Sequence, residues 1–106
     1  TGVLYKSDNK FDCLMVLDGT VLNVKKDELL GNVVEIEHNT NLRTIYYGID
    51  NISVKVGDVL NQGEVIGTSG KSNVTNASNG MLFEVYYNGK LINPEEFYNM
   101  DVSTLN

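Results

Sequence analysis

Tryptophan is absent from the 106 residues, and cysteine, histidine and proline occur once each, as Cys13, His38 and Pro94. A lone cysteine excludes an internal disulfide, and its place in the apolar run Cys13-Leu14-Met15-Val16-Leu17 reads as a buried, inert thiol. Hydrolytic zinc needs three protein donors from His, Cys or carboxylate plus an open position for water, which a chain with one histidine is poorly equipped to supply. Basic residues are scarce, 8 against 14 acidic ones, for a net charge of -6. Nucleic acid and anionic membrane surfaces are excluded as partners, since both are gripped by Lys and Arg that release counterions. No stretch approaches the roughly 20 apolar residues that span a bilayer, and no signal peptide opens the chain. The start Thr1-Gly2-Val3 and the polar tail read as a piece of something longer.

What is present is ordinary globular composition, 42% apolar and 21% charged, in a length that supports one core and hence a single domain over 1–106. Short apolar or alternating runs at 14–17, 21–24, 33–36, 42–47, 52–56, 64–67 and 82–87, separated by turn signals, predict an all-β domain. In "NVVEIEH" the period of two puts Val34 and Ile36 on a packed face, with Val33, Glu35 and Glu37 on a wet one. Asn88-Gly89 predicts a two-residue hairpin turn joining 82–87 to 90–92, because such a turn needs positive φ at both centres. One short C-terminal helix is expected from Pro94 to Met100, with Asn93 as cap and Glu96 reaching back. The stretches at 29–32 and 67–80 read as loops, the second too polar to bury. "GTVLNV" at 19–24 and "GDVLNQ" at 57–62 echo each other like a duplicated strand unit.

Nucleophilic schemes find no support: His38 would have to serve Cys13 or a serine, none of them in a nucleophile setting, and His38 itself reads as a surface or turn residue. The carboxylate pairs Glu95-Glu96, Asp27-Glu28 and Glu35/Glu37 fit helix starts and solvated strand faces. "GTSGKS" at 67–72 lacks the frame of a phosphate loop, and the Asn-x-Ser/Thr triplets at Asn51, Asn73 and Asn76 arise by chance in so Asn-rich a chain. "VKVGDVLNQGEVIG" also resembles biotinyl and lipoyl carrier domains, but neither Lys55 nor Lys71 has a carrier lysine's flanks.

The order "GTV…LLGNVVEIEHNTNLRTIYYG…VKVGDVLNQGEVIGTSG…LFEVYYNGKLINPEEF" resembles the LytM/lysostaphin-type zinc endopeptidases over nearly the whole chain, Gly19 to Phe97. The resemblance implies a small antiparallel β-sandwich of hybrid type, with a groove across one sheet that in active members holds peptidoglycan peptides beside one Zn²⁺. Active members carry a His-x-Gly-x-Asp run, a histidine after the Thr-x-Tyr strand, and a His-x-His before the Phe-Glu-Val strand. Mapped onto this sequence, Leu4 takes the place of the aspartate, Gly48 that of the second histidine, and Gly80 and Leu82 those of the His-x-His pair. The family's first histidine would fall before Thr1, and a histidine placed like His38 is structural in the family. The resemblance therefore implies a peptidase-like domain with no catalytic residue, no metal and no cofactor. Within the family, "DELLGNVVEIEHNTNLRTIYY" and "DNISVKVGD" are most similar to a sporulation branch of endospore-forming bacteria. That implies an extracytoplasmic domain anchored in the forespore membrane by a segment before Thr1, which docks the stage III sporulation protein AH of the mother cell and bridges the engulfing membranes. Alternatives are an activator of cell-wall amidases or a zinc endopeptidase acting on peptidoglycan, and peptidoglycan could still be bound in the groove. Expected partner-binding residues are Ser69, Lys71, Asn73 and Asn76 of the polar loop, with Tyr46 and Tyr47, since exposed tyrosines are enriched at interfaces.

Overall fold

A computed structural model describes residues 2–7, 9–28, 31–39, 41–70 and 79–93. It contains nine strands: β1 (Val3–Ser7), β2 (Asp12–Leu14), β3 (Gly19–Asp27), β4 (Gly31–Glu37), β5 (Leu42–Asp50), β6 (Val59–Leu60), β7 (Val65–Ser69), β8 (Asn79–Tyr87) and β9 (Lys90–Ile92). All pairings are antiparallel, and the main path runs β1-β8-β5-β4-β3-β6. The expected all-β class is therefore what the chain adopts, and the helix expected at 94–100 lies outside the described residues.

β5 gives the sheet its shape by changing partners. Leu42 to Tyr47 pair with β8, whereas Ile49 and Asp50 pair with β7, which in turn carries β2. The sheet therefore forks into an arm β8-β1 and an arm β7-β2, tied at the crotch by a Gly70–Gly80 bridge. Gly67 is required where β7 leaves β5, because a Cβ there would come 2.5 Å from Ile49 Cγ2 and 2.8 Å from the Asp50 carbonyl. The core is built on one side of the sheet from Val34, Ile36, Leu42, Tyr46, Phe83 and Val85, among others. Alternation on β5 is strict from Leu42 to Tyr47, so each even-numbered residue is buried and each odd-numbered one half-exposed.

The Asn88-Gly89 hairpin forms as expected, with φ of 54° and 77° and Tyr87 opposite Lys90. The two echoing segments, Gly19–Thr20 and Val59–Leu60, pair with each other. Several expectations need correction. The run at 52–56 is not a strand: Ser53 is bound twice to the β7 side, through its N–H to the Ile66 carbonyl and its hydroxyl to that of Val65, while Ile52 and Val54 plug the core from a coil. The run at 14–17 starts its strand earlier, at Asp12, and bulges between Cys13 and Leu14. Val33, expected on a wet face, is buried although it keeps the regular register opposite Tyr47, the bulge falling between it and Asn32. β1 has no counterpart among the expected runs; its pairing partner β8 lies some 75 residues away in sequence.

Candidate functional site

The face of the sheet opposite the core carries Leu4 and Leu82, two of the positions that the family resemblance maps to metal ligands. Register lines up three rows across it: Leu4, Leu82, Tyr47 and Val33; then Glu84, Ile45 and Glu35; then Tyr86, Arg43 and Glu37. Polar contacts tie the rows together. The Tyr47 hydroxyl donates to Glu84 Oε1 at 2.6 Å, Arg43 pairs with Glu35, and the Arg43 guanidinium lies 5.5 Å from the Tyr86 ring centroid. Burial, and then the Glu84 hydrogen bond, push the Tyr47 phenol above its ordinary value, and burial does the same for Tyr86. Both rings stay neutral hydrogen-bonding groups at neutral pH. Reasoning from the sequence did not single out Glu84 or Arg43, because only the register between strands reveals that they meet Tyr47 and Glu35.

The four positions mapped to the family's metal and proton-transfer residues come together in one corner of this face. Leu4 and Leu82 are cross-strand partners, and Leu82 is also opposite Tyr47. A backbone relay joins the glycines: the Gly70 N–H donates to the Gly48 carbonyl at 3.0 Å, and the Gly80 N–H to the Gly70 carbonyl at 3.1 Å. Gly48 sits at φ 82°, in the left-handed region, and a Cβ on Gly31 would lie 3.2 Å from its Cα. A pocket of about 180 Å³ beside it is lined by Lys26, Asn32 and Asp50 with Gly31, Gly48 and Gly70. Among the described residues no group of three or more His, Cys, Asp and Glu is arranged to hold a metal ion. At the positions that the family resemblance maps to metal and proton-transfer residues, Leu4 and Leu82 carry no donor atom for Zn²⁺, and Gly48 has a backbone geometry that a histidine would adopt only under strain.

Leu4 is 39% exposed and Leu82 half-buried, so the corner is neither core nor open polar groove but an apolar step on the surface. Of the expected partner-binding residues that the structure describes, Tyr47 is found on this accessible face. Tyr46 is corrected to a core residue, 1% exposed: it packs on Phe83 at 5.1 Å between centroids, donates its hydroxyl proton to the Leu14 carbonyl and accepts from the Val16 N–H. Burial raises its pKa to about 12. Ser69 is likewise corrected, fully buried and exchanging hydrogen bonds with Phe11, whose N–H donates to its hydroxyl while its own N–H donates to the Phe11 carbonyl. Lys71, Asn73 and Asn76 lie outside the described residues.

His38 sits at the turn after β4, as expected, but is half-buried rather than on the open surface. Its Nδ1 lies 2.9 Å from the Asp18 carbonyl and its Nε2 2.7 Å from Thr44 Oγ1, on a fully buried threonine. A carbonyl only accepts, so Nδ1 carries the proton and Nε2 accepts from Thr44. The ring clamps the 16–18 turn to β5, and burial lowers its pKa below 6.5 despite the nearby Asp18. Cys13 is the buried thiol expected, its pKa pushed up to about 12 by burial and then by Asp12.

Comparison with known proteins agrees with this geometry. The model of peptidase family M23 matches residues 1–94. Stage II sporulation protein Q of Bacillus subtilis (strain 168) is 40% identical over 101 residues, covering 94% of this chain and 36% of that protein. The structure of the SpoIIQ-SpoIIIAH pore forming complex contains a chain that superposes with a TM-score of 0.82 at 39% identity, over 92% of this chain and 62% of that one. The catalytic domain of lysostaphin from Staphylococcus simulans superposes with a TM-score of 0.80 at 22% identity, over 93% of this chain and 78% of that one, a likeness of fold. The chain thus spans little more than a third of the curated relative it matches.

Proposed function

The chain belongs to peptidase family M23, and from that membership we propose that it is a peptidase-like docking domain with no hydrolytic activity of its own. In this reading it serves sporulation as the extracytoplasmic part of a forespore-membrane protein. It docks the stage III sporulation protein AH from the mother cell, so that the two anchored proteins bridge the membranes during engulfment. The observation that carries it is the apolar pair Leu4–Leu82, in register with each other where the family resemblance sets a metal ligand on each strand. Without donors there, no bound water can be acidified for attack on a peptide bond. The sheet is left as a rigid platform that another macromolecule can grip. A relative that covers 94% of this chain bears a sporulation name, and one of the superposing chains comes from a SpoIIQ-SpoIIIAH complex.

The test is direct binding between the purified chain and the soluble domain of a stage III sporulation protein AH, by calorimetry. Saturable association at one-to-one stoichiometry is the expected result. Absence of association, together with chelator-sensitive cleavage of purified peptidoglycan, would reverse both halves of the proposal.

A further inference from the structure

The fork in the sheet leaves a feature that the face carrying Leu4 and Leu82 does not use. Where β8 and β7 part company from β5, their outer strands β1 and β2 diverge, and an apolar wedge of about 240 Å³ opens between them. Tyr46, Met81 and Phe83 form its floor, and Tyr5 of β1 and Leu14 of β2 its walls. This lies on the core side of the sheet, the opposite side from Leu4, Leu82 and Tyr47. The walls are open to solvent: Tyr5 is 37% and Leu14 47% exposed, and Leu14 continues into its exposed cross-strand neighbour Val65. Exposed large apolar side chains grouped over an open part of the core mark a place where something docks. Among the described residues, β1 pairs only with β8 and β2 only with β7, so each also has a strand edge without a described partner.

The dimensions and charge select the occupant. The volume is below the roughly 300–1,000 Å³ of clefts that enclose a free small molecule, and suits bulky side chains carried by a larger partner. Asp12 is the single charged residue of the lining, exposed at the rim, in a chain of net charge -6. A carboxylate beside an apolar hole is complementary to an apolar anchor next to a basic residue. We propose that this wedge receives a large aliphatic or aromatic side chain of the partner protein, from an extended segment whose neighbouring Lys or Arg pairs with Asp12. This rests on the protein-docking reading above and assigns the docking to the fork, away from the corner that replaces the family's metal site.

The experiment places a benzophenone photocrosslinker singly at Leu14 and, as a control on the opposite face, at Tyr86, in complexes of this chain with the stage III sporulation protein AH domain. Crosslinking to that domain from position 14 and not from 86 is the expected result. Two variants accompany it. Leu14→Lys should weaken binding roughly tenfold or more, as loss of a buried anchor does. Asp12→Lys should weaken binding less and flatten its salt dependence, while Glu37→Lys on the other face leaves both unchanged. Melting temperatures of all three variants should match the parent, since the three side chains are exposed. If the complex forms but crosslinks only from 86, or binds Leu14→Lys as tightly as the parent, the wedge is not the docking site while the docking function stands. A crosslink from 14 into a second copy, or back into this chain, overturns it equally. If no complex forms, the function proposed above fails and the wedge assignment falls with it.

Discussion

His38 is held at both ring nitrogens, by the Asp18 carbonyl and by the hydroxyl of the buried Thr44. Protonation would turn Nε2 into a donor against the Thr44 hydroxyl inside the core and remove the acceptor that hydroxyl uses. Burial depresses the pKa, so the unfolded chain takes up its proton at a higher pH than the folded one. The clamp's contribution is therefore present in full above the ordinary value of 6.5 and lost as pH falls through the folded value beneath it. Denaturant melts between pH 7.5 and 5 should show stability falling with acidification. His38→Ala should flatten that fall and cost about 1–3 kcal/mol at neutral pH, the usual cost of leaving buried hydrogen-bonding groups unpaired. An unchanged pH slope in the variant would remove His38 from the role. At Cys13, burial holds the thiol protonated up to about pH 12, so a thiolate-seeking reagent should react only on unfolding. Stopped-flow labelling that tracks the unfolding rate would confirm this, and prompt reaction in buffer would contradict it.

At the scale of the elements, two glycines do different work. Gly89 occupies φ 77° in the turn between β8 and β9, and nothing lies within 4 Å of the position a Cβ would take. Gly89→Ala should cost only the left-handed backbone penalty of about 1–2 kcal/mol. Gly67 has no such backbone demand but supports the crossing of β7 over β5, where a methyl would strike Ile49 and the Asp50 carbonyl. Gly67→Ala should therefore cost more, toward 3 kcal/mol as in overpacked cores, and should loosen the arm carrying β2. Thermal melts of both variants, with amide exchange read at Ser69 and Phe11, separate the two effects. Equal losses would mean that the crossing has room the geometry does not reveal.

For the whole molecule the decisive question is metal. A zinc ion held at a Kd one-hundredth of its free concentration would add about 2.7 kcal/mol to the stability of the folded chain. With leucines at two of the mapped positions and a left-handed glycine at a third, the melting temperature should stay unchanged when zinc is added or a chelator present. A zinc-dependent rise of several degrees would show donors that the mapped positions do not supply.

Much of the architecture was legible because it is local. Alternation along 42–47, the demand of Asn88-Gly89 for positive φ, and the lack of a donor atom on the side chains of Leu4 and Leu82 are all properties of neighbouring residues or of residue type. Donor chemistry in particular needs no coordinates, since a leucine binds no metal in any fold. What the tertiary structure alone decided depends on pairings between distant segments. Alternation says that Tyr46 and Tyr47 face opposite ways, but only the attachment of β2 and the 16–18 turn to one side of β5 makes Tyr46 core and leaves Tyr47 accessible. The same long-range choice buries Ser69 against Phe11, turns His38 into a clamp, and splits the sheet at Gly67 so that a wedge opens between β1 and β2. Register and partner exchange are set by the free energy of the whole packed sheet, which no short stretch of residues carries by itself.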